Sequence, residues 1–327
     1  MTELQPRLVR GWEVLRLSTD ELVADVLPGL GGTIWSLTRR GDGAELLWTT
    51  PWGLPARGAP APPTTRYGQA SDPSPGGWQT LFPNGGDPVS LYGVEWGFDG
   101  EVRTTFCDWE FTGSSLVLTA RLARSPFEIS KIISLRGAEL TVGETVRNVG
   151  GEQIETMWGS RLNLGGGLIG PDTVIDAAAT IVRPDPKFSQ STSYDDLSPW
   201  PRGYGPDGMI NLRTVPGPDA RQSRLAYLSD FTRPWLRISR PAQDLTVDLE
   251  WDSSSWPHLW YGLEAGGVTE YPWYGSGYFL SLTPGTSWPA HGVVEARRVS
   301  DSAFWISPGA ARTAYATLRV NAGGSAR

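Results

Sequence analysis

Hydrophobic and polar positions alternate along most of this chain, and the alternation has a period of two. Ser115 to Ala123 places Leu116, Leu118, Ala120 and Leu122 on one face. Glu21 to Leu27, Gly32 to Leu37, Glu128 to Leu135, Glu139 to Val146, Leu245 to Trp251 and Tyr278 to Leu282 behave in the same way. A period of two puts successive side chains on opposite faces of a strand. No stretch sustains a period of 3.6 with caps at both ends. Short strands punctuated by 40 Gly and 27 Pro predict an all-β protein, a large sandwich or barrel.

Two stretches break the alternation: Thr50 to Pro75, and Phe188 to Asp207. Both read as long loops, which in a compact β domain are functional or disordered. No composition shift divides the 327 residues, so residues 1–320 read as one domain and residues 321–327 (NAGGSAR) as a frayed tail.

Composition narrows the class. The net charge is −7, and the arginines are scattered, so no basic footprint for nucleic acid is expected. No window is apolar for the roughly 18 residues of a membrane helix, and Met1 to Val14 lacks the apolar core of a signal peptide. One cysteine, Cys107, excludes an internal disulfide and fits a reducing, cytoplasmic compartment. Its bland reading is a small buried hydrophobe. The 16 Trp are the unusual number. They are either packing residues or flat faces for stacking on sugar rings.

Four segments, in chain order, carry a resemblance. They are VADVLPGLGGTIWSLTRRGDGAELLW (Val23 to Trp48), GGWQTLFPNGGD with GVEWGFDGEV (Gly76 to Asp87, Gly93 to Val102), LTVGETVRNVGGEQIETMWGSRLNLGGG (Leu140 to Gly167), and WPHLWYGLEA with YFLSLTPGTSW (Trp256 to Ala265, Tyr278 to Trp288). Together they resemble the aldose 1-epimerase (galactose mutarotase) family. The resemblance implies a large antiparallel β-sandwich with an open cleft on one sheet. It also implies a small carbohydrate or sugar-like ligand, acid/base catalysis without metal or cofactor, and a monomer or homodimer.

Family chemistry uses a Glu as base and a His as acid, with a second His and an Asp holding the sugar. Glu264 stands at the place of the base. Both family histidines are replaced: Asp99 stands at the first position (GFDGE) and Arg161 at the second (WGSRLNLG). Arg161 cannot give a proton near neutral pH, but its fork suits a carboxylate, phosphate or hydroxyl. Asp99 can serve as acid only if another carboxylate raises its affinity for protons, and pairing with Arg161 defeats that role.

His258 shares a strand face with Trp260 and Glu264 by even spacing. It lies about 20 Å from Glu264 on a straight strand at roughly 3.3 Å per residue, so it reaches the base only if the chain bends at Gly262. His291, in WPAHGVV, reads as structural. Further candidates for ligand contact are Arg66, Asn84, Asp230, Trp78, Trp96, Trp158 and Trp260. Asn84 and Asp230 read equally well as turn residues. Tyr271, Trp273 and Tyr274 are either a cleft rim or packing.

Three functions remain open on these residues: an isomerase of the aldose 1-epimerase type, a sugar-binding protein without catalysis, and a lyase or cyclase recruited to the same fold.

Overall fold

A 19-residue strand, Gln222–Arg240, organises the molecule. In the computed structural model, which describes residues 2–58 and 74–322, its first half pairs with His258–Ala265 and its second half with Leu245–Trp251. Asp230 stands between the halves with a positive φ of 52°. Opposite it, the pairing with Val174–Pro184 shifts register between Ala177 and Ala179. A bulge beside a left-handed residue is how one strand turns a corner between two sheets. Asp tolerates that conformation better than most residues.

From this corner the sheet runs two ways. One layer continues through Leu245–Trp251, Ala311–Ala322, Glu139–Asn148, Phe127–Arg136 and Ser115–Arg121 to Asp108–Phe111. The other runs through His258–Ala265, Tyr278–Gly285, Gly159–Leu164, Trp78–Leu81, Thr33–Arg39, Leu22–Leu27 and Trp12–Ser18 to Glu3–Val9. All of these pairings are antiparallel, and with Ser198–Pro199 beside Val174–Pro184 the strands form a 17-stranded sheet folded on itself. The expected all-β antiparallel sandwich is what the chain forms.

Period-two alternation fixes the faces. On the second layer Leu162, Leu282, Leu280, Tyr261 and Leu263 point inward and are buried. They meet Trp251, Phe127, Leu140 and Leu318 in one continuous core. The opposite face carries Arg161, Asn163, Ser281, Thr283, Trp260 and Glu264.

Two details depart from the sequence reading. A short helix, Val293–Ser300, ends at Asp301, which has a φ of 52°. Its eight residues are too few for a periodic signal. The strand Ala311–Ala322 also continues past Asn321, so the pairing with Leu245 and Thr246 holds the first residues of the segment expected to fray. Among the described residues no helix is long and apolar enough to cross a membrane.

Candidate functional site

On the outer face of the second layer, four adjacent strands form a grid. In one row lie Arg161, Thr283, Trp260 and Tyr227, each opposite the next. Two residues along, the row is Asn163, Ser281, Gly262 and Leu225. Two further on, Phe279, Glu264 and Ser223 stand side by side. The middle row has Ser281 and Gly262 at its centre where the outer rows carry Trp and Phe. Ser281, Gly262 and Leu225 of that row floor a cavity of about 290 Å3 lined by Arg161, Trp260, Glu264, Phe279, Asp87 and His291, among others. A second cavity of about 210 Å3 adjoins it across Arg161, Phe98, Trp273 and Phe279, and is lined by Trp48, Gln79, Arg103 and Asn163.

Glu264 is buried, at 5% exposure. Ser223 donates its hydroxyl to Oε2, and the Val268 amide donates to Oε1 at 2.9 Å. Two donors compensate for much of the cost of burying a carboxylate. Space for it depends on Gly277, where a Cβ would stand 2.7 Å from the Glu264 Cγ.

Asp99 is the third residue of a tight turn closed from the Gly100 amide to the Gly97 carbonyl, with a φ of 60° and no exposed surface. Its carboxylate accepts from Arg161, from Arg103 at 2.7 Å and from the Gly86 amide at 2.9 Å. Asp99 therefore faces donors on every side, and the alternative in which it gives a proton to a sugar fails. A carboxyl O–H would meet N–H groups and find no acceptor. Its place is that of an anchor for Arg161, whose guanidinium lies 5.8 Å from the Trp260 ring centroid and reaches Thr283 Oγ1 at 3.4 Å.

His291 was read as structural, yet it lines the cavity with Glu264. Its ring is held from both sides, Nδ1 by Asp87 at 3.0 Å and Nε2 by Asp185 at 2.9 Å. Burial works against its charge, but the two carboxylates outweigh it and raise the imidazole pKa to about 9. No signal in a single sequence links these groups. Asp185 and Asp87 lie 106 and 204 residues away.

Other expectations are corrected. The strand His258–Ala265 is continuous through Gly262, so His258 stays at its far end, outside the cavity. Burial and the neighbouring Arg183 push its pKa down to about 4. Asp230 is exposed at the sheet corner and not in the cavity. Asn84 is fully buried and spends its amide on backbone, donating to Asp87 and Gly97 and accepting from Val293. Trp78, Trp96 and Trp158 are core residues, exposed by 2% or less, because their positions point inward. Trp260 does form cavity wall. Trp273 lines both cavities, stacked on Trp52 with centroids 5.4 Å apart, while Tyr271 and Tyr274 are exposed. Arg66 lies outside the described residues. Among those described, no group of three or more His, Cys, Asp or Glu is arranged to hold a metal ion.

No family model matches the chain, and no curated protein does. Solved structures do. A galactose mutarotase-like protein from Clostridium acetobutylicum is 13% identical, with 98% of this chain and 99% of that one covered at a TM-score of 0.68. A galactose mutarotase-like protein from Lactobacillus casei is 16% identical, covering 94% and 100% at a TM-score of 0.64. A galactose mutarotase related enzyme from Lactobacillus acidophilus is 13% identical, covering 94% and 97% at a TM-score of 0.65. At these identities the likeness is one of architecture, and by architecture the chain is a galactose mutarotase-like β-sandwich.

Proposed function

We propose that the protein is a sugar isomerase of the aldose 1-epimerase type that interconverts anomers of an aldose or aldose derivative without a cofactor. The observation that carries this reading is that a buried carboxylate, Glu264, and a fixed guanidinium, Arg161, line one cavity with the small residues Gly262 and Ser281 between them. Two strands, about 10 Å, and four residues, about 13 Å, separate their backbones. Gly262 and Ser281 lie between them on the sheet. The space between suits one sugar ring, and the Trp260 and Phe279 rings supply apolar walls for its C–H faces.

In this reading Glu264 takes the proton of the C1 hydroxyl as the bond from C1 to the ring oxygen breaks. Arg161 donates hydrogen bonds to sugar oxygens and orients the ring, a role that needs no proton transfer. Asp99 holds Arg161 in place. Positioned acid and base groups each contribute roughly 10²–10⁴-fold.

One-dimensional NMR of anomer exchange, with a panel of aldoses and their acidic derivatives, tests the proposal. The wild type accelerates exchange of at least one sugar, and Glu264→Gln does not. Exchange at the buffer rate for every sugar removes it. The engagement of Asp99 with two guanidiniums favours one second reading, sugar binding without turnover. Saturable heat in calorimetry beside unaccelerated exchange would select that reading.

A further inference from the structure

The isomerisation needs a proton for the ring oxygen, and neither Asp99 nor Arg161 supplies it. We propose that His291 is the proton donor to that oxygen, replacing from a different part of the chain the histidines missing at positions 99 and 161. This rests on the isomerase reading above.

His291 follows the strand Tyr278–Gly285 and precedes the helix Val293–Ser300. Its backbone is fixed. It bridges to Gly86, and the Gly292 amide donates to the Gly85 carbonyl at 2.9 Å. The Val293 amide donates to Asn84 Oδ1 at 2.9 Å, and the Ala290 amide to Tyr227 Oη at 3.0 Å. A ring carried on so tightly bonded a segment keeps its position, which is what a proton donor needs.

The two ring nitrogens are held unequally. Nε2 faces Asp185, a carboxylate with no exposed surface that Tyr227 also donates to and that the Lys187 amide orients through Oδ1 at 2.9 Å. A buried carboxylate on one nitrogen fixes the ring and favours the imidazolium, as in other His–carboxylate pairs. Nδ1 faces Asp87, whose side chain is 48% exposed, with Lys187 Nζ 3.2 Å away. Lys187 is itself 59% exposed. Both outer partners are exposed enough for ligand or solvent to displace, and displacement frees Nδ1–H to donate. The groups around the ring are Asp87, Asp185, Lys187 and, through Asp185, Tyr227; Glu295 on the helix also feels its charge. The carboxylates outweigh the single lysine, and the ring keeps its proton at neutral pH.

The step balances. The C1–O5 electron pair goes to O5, which takes the proton from Nδ1 as that N–H bond breaks. Glu264 takes the C1 hydroxyl proton, and C1 becomes a carbonyl. After rotation about C1–C2, O5 attacks C1, returns its proton to Nδ1, and Glu264 returns a proton to the new hydroxyl. Both groups end as they began.

The test is anomer exchange from about pH 6 to 10 for the wild type, His291→Gln, Asp87→Asn and Glu264→Gln, with sugar affinity measured by calorimetry. We expect His291→Gln to lower kcat about 100-fold or more with Kd little changed. The wild-type rate falls as pH rises through about 9. In Asp87→Asn, which keeps the ring but removes one carboxylate, that fall moves to lower pH. A His291→Gln rate within about threefold of wild type, or a fall that stays in place in Asp87→Asn, overturns the proposal. If Glu264→Gln is inactive at the same time, the isomerase reading survives that failure. A wild type that accelerates no sugar overturns both.

Discussion

The Arg161 guanidinium and the Asp99 carboxylate form an ion pair in which the aspartate has no exposed surface and the arginine 15%. Arg103, at 5% exposure, shares the same carboxylate. Removing the acid takes away the buried carboxylate that both sheltered cations share. Breaking a buried pair from one side costs about 3–5 kcal/mol, because the orphaned charge stays behind. We expect Asp99→Asn to lose about that much in urea unfolding, and ligand affinity to fall as Arg161 loses its support. A loss under about 1 kcal/mol would show that water already screens the pair.

The cavity floor yields a cleaner test. A Cβ on Gly262 has only ordinary contacts, the nearest being Ser281 Cβ at 3.5 Å. A branched side chain suits a strand. Gly262→Val should therefore fold with a Tm near that of the wild type while it fills the ligand space. Sugar affinity should drop at least about tenfold, the equivalent of roughly 1.4 kcal/mol. Unchanged affinity would move the binding site elsewhere.

Gly277→Ala probes the opposite situation. Its Cβ would press on Glu264 Cγ, and the flanking strands leave little room to yield. Overpacking of this kind costs about 1–3 kcal/mol, and here it also displaces the Glu264 carboxylate from Ser223 and Val268. Anomer exchange should fall by more than tenfold while sugar binding is less affected, a split that kcat and Kd measured together will show.

The two histidines give stability opposite slopes with pH. His291 has its pKa raised from 6.5 to about 9, so its contribution is complete below pH 6.5 and is lost as pH rises through 9. For His258 the pKa falls to about 4. The unfolded chain then binds the extra proton first, and stability declines as pH drops from 6.5 toward 4. Denaturant unfolding across pH should show His291→Gln flattening the alkaline limb and His258→Gln the acid one. Equal slopes in wild type and variants would mean that other groups set the dependence.

A buried lysine adds a stability test away from the cavity. Lys131 lies 3.7 Å from Glu144, both at 4% exposure or less, and burial lowers the lysine pKa. Glu144 also accepts from Thr80, Ser160 and Trp158. Lys131→Met should cost about 3–5 kcal/mol in denaturant unfolding, since the carboxylate keeps neutral donors but loses its only cation within reach among the described residues. A neutral result would mean that those donors suffice.

Alternation made the sheet legible, because a strand buried on one face writes its period into the sequence. The fourth segment of the family resemblance also pointed to a strand bearing Glu264, and the third to Arg161. What alternation cannot give is which strands become neighbours. Leu225, Gly262, Ser281 and Asn163 look like unrelated residues until four strands lie side by side. The tryptophans illustrate the same limit: composition says that rings are abundant, while only the inward or outward register separates Trp78 in the core from Trp260 at the cavity. The setting of His291 is hidden from the sequence for a further reason. Its carboxylates come from two distant loops, and loop partners leave no periodic trace.

Gly86 joins the two halves of this arrangement. Its amide holds Asp99, and its left-handed backbone lies so near Ala290 that a Cβ would stand 1.9 Å from the carbonyl oxygen. The guanidinium anchor and the imidazole segment thus share a single hinge pin. Any sequence change that shifts this one residue retunes both ends of the proposed site together, so descendants of this chain cannot drift in one without disturbing the other.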